Sequence, residues 1–406
     1  MRLAKRTVAV VFLILFISVM NGKPVFASPD NPDIPDSDLP DAPNASELKS
    51  SILDDVKLDG IQEYWDQLVK NYRGYIPELE KTSLYEFLKN NGSLSFKSML
   101  SGIVKYLFYE IILNGKLLGL LIMLTLFSVL LQTVQTAFEQ NTVSKIAYFI
   151  VYLVLLYLAL NSFYLAFSYT KEAVESMSNF LIALLPLVLG LMATFGNVVS
   201  VSFFHPIIVF LIYVSGVLVS KFILPLIFLS ALLMIISSLN AQYQVTHLAN
   251  LFKSVALGVL GVFLTIFLGV MSVQGAASAI QDGVAMKTTK FITGNFIPIV
   301  GRTFTDAADT ILSASLLLKN AVGIVGLVIV VFLALFPVIK ILAIAFIYKI
   351  AAAVLQPIGD GPVITCLNVI SKHMFYILAA LLAVTLMFFL AIVIIVVASN
   401  ITLLLR

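Results

Sequence analysis

The chain has 406 residues, 60% of them hydrophobic and only 12% charged, with a mean hydropathy of +1.03. A soluble domain is nearer half apolar and a quarter charged, so the composition excludes a water-soluble globule and points to an integral membrane protein. The net charge of +3 averages an acidic residue 28–100 segment, with 14 acidic against 7 basic residues, and a sparsely charged remainder; it gives no ground for nucleic-acid binding.

At the N-terminus Arg2, Lys5 and Arg6 precede the apolar run VAVVFLILFISVM, and VFA at 25–27 suits signal-peptidase cleavage. Residues 1–27 are expected to be an export signal, cleaved after Ala27 or retained as an anchor helix. In both readings residue 28 onward starts outside the cytoplasm. Residues 28–46 hold five prolines, five aspartates and no basic residue, a disordered acidic linker by composition.

Residues 47–113 are expected to form a small extracytoplasmic helical region. Ile61, Tyr64, Trp65, Leu68 and Tyr72 recur at helical spacing and give one apolar face. Ser83 and Glu86 suit a capping box that starts a second helix at Leu84. The apolar face serves packing between these helices, a bilayer surface, or a partner. An amphipathic stretch at 96–113 leads into the membrane part.

Residues 114–406 read as a multipass membrane domain, since a spanning helix needs about 20 apolar residues. Spans are expected near 117–135, 146–168, 179–196, 203–220, 222–239, 254–274, 320–338, 340–356 and 374–398. The fold class is therefore all-α and polytopic, with about seven to nine transmembrane helices. Lys221 alone divides one pair of spans and Lys340 another. Each pair is a tight hairpin, or one long tilted helix with a re-entrant piece.

No catalytic set is present in the sequence. His205, His247 and His373 lie in separate segments without HxxxH or HExxH spacing, so no metal site is expected. His205 and His373 read as interfacial residues. Cys366 is the single cysteine, which excludes an intrachain disulfide and a CxxC site. There is no GxxxxGK[ST] loop for nucleotide, and no cofactor is expected. PIGDGP at 357–362 lacks the first glycine of the GxGD signature of intramembrane aspartyl proteases, and no second aspartate matches it. Ionisable groups near hydrocarbon are costly; Glu110, Lys221, Lys340 and Lys349 are those groups, with snorkelling near a span end as the ordinary explanation for the lysines, while Glu110, on the amphipathic lead-in, is expected at the interface.

TGNFIPIVGRTFTDAADTILSAS, residues 293–315, interrupts the most apolar half of the chain. Gly294, Pro298 and Gly301 favour a turn, and Thr303 with Asp306 suits a helix start. Arg302 and Asp306 stand four apart and can pair; Asp309 follows. The unit is an interfacial helix, or a re-entrant element lining a polar path. These six residues, Gly294, Pro298, Gly301, Arg302, Asp306 and Asp309, are the candidate functional element.

The signal peptide, the acidic linker, the polytopic body, this stretch and LQPIGDGP together resemble the stage III sporulation protein AE family of endospore-forming bacteria, over essentially the full length. The resemblance implies a non-enzymatic multipass protein in the mother-cell membrane surrounding the forespore. Its implied partners are the lipid bilayer and other stage III sporulation A-operon proteins, and indirectly stage II sporulation protein Q. The implied role is a component of a secretion-like transenvelope channel that supports late forespore development. The alternative is a secondary transporter for a small solute, which should show internal repeats and ionisable residues at mid-membrane depth.

Overall fold

The computed structural model describes residues 59–72, 74–75, 82–89, 96–137, 142–194, 198–239, 245–296, 300–358 and 361–404, with the backbone alone over 285–317 and at further positions that include 96–98, 135–137, 142–145, 198–200 and 398–404. The export signal and the acidic linker lie outside these residues. Every regular element described is helical. In chain order they are α1 (Asp59–Tyr72), α2 (Leu84–Lys89), α3 (Phe96–Leu113), α4 (Gly115–Ala137), α5 (Thr142–Thr194), α6 (Val198–Leu218), α7 (Leu224–Leu239), α8 (Thr246–Phe296), α9 (Val300–Leu355) and α10 (Pro362–Leu404).

The small N-terminal helices form as their sequence predicts. Ile61, Trp65, Leu68 and Tyr72 are buried on one face of α1, while Gln62, Glu63, Asp66 and Lys70 are exposed. Burial of each such apolar side chain contributes about 1.5–3 kcal/mol. The capping box is present: Glu86 N–H donates to Ser83 Oγ at 3.1 Å, and Ser83 N–H donates to Glu86 Oε2 at 3.3 Å. The apolar face serves both neighbours. Trp65 packs on Phe87 of α2 with ring centroids 4.8 Å apart, and Tyr64 meets Phe180 of α5 at 5.2 Å.

The span count differs from the sequence expectation. Among the described residues five helices are long and apolar enough to cross a membrane, and six if α3 and α4, which meet at a 48° bend, make one broken span. The difference arises because three pairs of expected spans are each one continuous helix. The run 146–168 and residues 179–194 of the next both lie in the 53-residue α5, and 320–338 and 340–355 both lie in the 56-residue α9. Hydropathy falls at Lys171, Glu172 and Glu175 and at Lys340, but a polar side chain on an exposed face leaves the backbone ladder unbroken.

The third pair, 203–220 and 222–239, is joined by a single π turn at Val219–Ile223. Pro225 is the physical cause. Its ring crowds the carbonyl four residues back and it lacks an N–H, so the chain widens by one residue there. Leu224 N–H accordingly donates to Val219 O, five residues back. The helix continues as α7.

Long-range contacts set the helices up and down in register. Tyr348 Oη of α9 donates to Leu158 O of α5 at 3.1 Å, whereas a Cβ on Gly326 would meet Leu184 Cδ2 at 2.7 Å; numbers rise in α5 as they fall in α9. Ser371 Oγ donates to Ala345 O at 3.0 Å, and Lys319 Nζ donates to Val396 O at 3.2 Å, so α9 and α10 are also antiparallel. Phe163 of α5 meets Phe228 of α7 with centroids 6.1 Å apart, and Tyr152 Oη donates to Ile235 O at 3.0 Å. The most extensive pairing is between α9 and α10, which form the centre of the bundle. The apolar stretch of α5 alone, 45 residues, is about 68 Å long at 1.5 Å per residue, roughly twice the hydrocarbon thickness.

Candidate functional site

The charged interruptions of α5, α6–α7 and α9 fall at one level of the bundle. Lys340 Nζ lies 4.9 Å from the centroid of the Tyr169 ring, a cation–π contact that positions the ammonium against α5. Lys171 and Glu175 pair at 3.7 Å one turn further along α5, both exposed. A Cβ on Gly216 would stand 3.8 Å from Ser178 Oγ, so Lys221, five residues on, belongs to the same belt.

The N-terminal helices close over this belt. A cavity of about 440 Å³ lies between α1, α3, α5 and α9, with Asn71, Tyr106, Glu172, Ser176 and Lys340 on its wall. Tyr72 anchors α1 there. Its Oη donates to the Phe332 carbonyl at 2.7 Å, and its ring packs on Phe332 and Phe336 at 4.7 and 4.1 Å. Pro337 lies inside α9 and leaves the carbonyl four residues back, that of Leu333, without its helical donor. The tyrosine bonds the carbonyl next to it, that of Phe332. Burial raises the Tyr72 hydroxyl well above its ordinary titration range, with Tyr106 adding to it and a backbone hydrogen bond opposing, so the group stays a protonated donor.

Glu110 was expected at the interface, yet it is buried at 7% exposure. Asn114 Nδ2 holds it, donating to its carbonyl at 2.8 Å and to Oε1 at 3.2 Å. Lys221 and Lys349 are exposed, and Lys349 Nζ donates to Asn368 Oδ1 at 3.0 Å. His373 is a correction. It is 2% exposed because α10 starts at Pro362 and carries it inside the bundle. The Val369 carbonyl, 2.8 Å from Nδ1, can only accept, so Nδ1 carries a proton; Nε2 lies 3.0 Å from Ser230 Oγ, which itself donates to the Ala249 carbonyl at 2.7 Å.

The six sequence-picked residues are placed by their backbone. Gly294 lies in the last turn of α8; Gly301, Arg302, Asp306 and Asp309 lie in the first turns of α9; Pro298 lies outside the described residues, as do the side chains of the others. The expected turn is shorter than Gly294–Gly301, since α8 persists to Phe296 and α9 begins at Val300, before Thr303. A glycine costs a helix only about 1 kcal/mol, which packing offsets, whereas proline interrupts the ladder.

Three buried residues with polar groups escaped sequence reasoning. Lys319 is fully buried, and it sits at the edge of an expected span where snorkelling would have been assumed. Ser162 and Tyr348 share a 2.8 Å hydrogen bond between α5 and α9; a serine and a tyrosine 186 positions apart carry no sequence signal. Among the described residues no cluster of three or more His, Cys, Asp or Glu could hold a metal ion.

An antiparallel bundle of long apolar helices, with amphipathic helices packed on it around a polar cavity, defines a polytopic α-helical membrane protein. The family model for stage III sporulation protein AE matches residues 79–399. Stage III sporulation protein AE of Bacillus subtilis (strain 168) is 54% identical over 365 residues, covering 90% of this chain and 92% of the relative. The chain belongs to the stage III sporulation protein AE family. No solved structure matches it.

Proposed function

We propose that the chain is a non-enzymatic membrane component of a sporulation-specific transenvelope channel, or secretion-like complex, between mother cell and forespore. The observation that carries this reading is family membership across nine-tenths of the chain. The helical build supports it: α1 and α2 dock on the bundle through Tyr72 and leave their charged faces outward, a surface suited to other subunits. In this reading the protein sits in the mother-cell membrane around the forespore with its N-terminal region extracytoplasmic. Its neighbours are the other stage III sporulation A-operon proteins, with stage II sporulation protein Q reached indirectly. The 294–309 residues at the α8–α9 junction border the polar path.

Affinity capture of the tagged chain from sporulating cells tests this reading. Recovery of several operon products in fixed proportion is the expected result, and recovery of the chain alone would overturn it. The belt of ionisable groups, with Glu110 buried in it, favours a second reading as a secondary transporter. Ion-coupled uptake of a solute by the lone chain in liposomes would select that reading.

A further inference from the structure

A second cavity, of about 580 Å³, opens at the end of the bundle where α7 finishes and α8 and α10 begin. Its volume falls within the range of small-ligand sites. Lys253 of α8 and Lys372 of α10 line it, and no carboxylate does so among the described residues. Lys253 is aimed by its neighbours: Nζ donates to Asn250 Oδ1 at 2.7 Å and stands 5.8 Å from the Tyr376 ring centroid. The first turns of α8 and α10 border the same space through Thr246 and Thr365. Two helix N-termini bring positive dipole ends to one place.

An independent observation comes from α7. Ser237 lines this cavity, is 9% exposed, and its Oγ has no hydrogen-bond partner. A buried hydroxyl without a partner costs about 1–3 kcal/mol, and a ligand oxygen in this cavity would supply one. His373 does not compete for that role, because both its ring nitrogens are engaged within the bundle.

We propose that this cavity binds a phosphate group, held by Lys253, Lys372 and Ser237 beneath two helix N-termini. Lysine serves phosphate as a point charge, and helix N-termini are ready anion sites. The phosphate reaches it as an anionic lipid headgroup or as a free ion. Leu248, Leu251 and Val255 are exposed along the adjoining face of α8, which gives acyl chains an apolar track beside the cavity.

The full chain, delipidated in detergent, is titrated with micellar phosphatidylglycerol, with phosphatidylcholine, and with inorganic phosphate, while thermal unfolding is followed. A saturable rise in Tm with phosphatidylglycerol that phosphatidylcholine does not reproduce is the expected result. A rise with inorganic phosphate as well would identify a site for the free ion, which also supports the proposal. Lys372→Gln should weaken half-saturation about tenfold, the loss of one charged hydrogen bond. Ser237→Ala removes the unpartnered hydroxyl, so the unliganded protein should unfold no earlier than the parent while binding still weakens. No response to any phosphate, an equal response to phosphatidylcholine, or unchanged titrations in both variants would overturn the proposal.

Discussion

Tyr72, the last residue of α1, donates a 2.7 Å hydrogen bond to the carbonyl of Phe332, 260 positions away and shortly before Pro337. This contact ties the amphipathic N-terminal segment to the centre of the membrane bundle. Pro337 leaves the neighbouring carbonyl, that of Leu333, without its helical donor.

Tyr72→Phe keeps the ring and removes the donor. It should loosen α1 by about 1–2 kcal/mol, seen as faster protease cleavage before residue 82 with the rest of the chain intact. The hydroxyl is raised well above the ordinary value of 10.0 by burial, so docking favours the protonated form. That contribution is fully present below about pH 10 and is lost as pH rises above it. The parent should therefore show an alkaline rise in cleavage that Tyr72→Phe lacks; identical pH profiles would remove Tyr72 from the docking account.

The small residues of α9 are a close-packing device. A Cβ on Gly323 would meet Val396 Cγ2 at 2.5 Å, and one on Gly326 would meet Leu184 Cδ2 at 2.7 Å. Valine is stiff at χ1, whereas the end of a leucine can turn aside. Gly323→Ala should thus lower stability by about 1–3 kcal/mol through overpacking, and Gly326→Ala by less. Adding Val396→Ala should restore much of the Gly323→Ala loss. Thermal unfolding of the single and double variants measures this coupling, and strict additivity would count against a direct contact.

Much of the small helical region was legible because its signals are local. The spacing of Ile61, Trp65, Leu68 and Tyr72 gave the buried face of α1, and Ser83 with Glu86 gave the start of α2. The long helices were misread because hydropathy records polarity and says nothing of backbone continuity. Lys221 looked like a boundary, yet it sits in a π turn caused by Pro225, and the helix passes through. The polar cavities were not legible at all: Tyr72, Tyr169 and Lys340 come from three distant segments, and Lys372 lies more than a hundred positions from Ser237 and Lys253.

The α8–α9 junction is tested by function. Gly301→Val and Arg302→Leu should each accumulate to the parental level in sporulating cells and yet reduce sporulation, if this junction borders the polar path. Normal sporulation in both would leave it a passive connection, and lowered protein level would mark a folding role.

The central structural claim is that the charged interruptions do not divide the helices, so α6, the π turn and α7 cross the membrane once. Single cysteines placed at Asn197 and Gln242 in a full-length Cys366→Ala chain test it, using a membrane-impermeant maleimide added from each side of sealed vesicles. One continuous helix predicts that the two positions label from opposite sides. Labelling of both from the same side would mean a hairpin at Lys221, and would contradict the account.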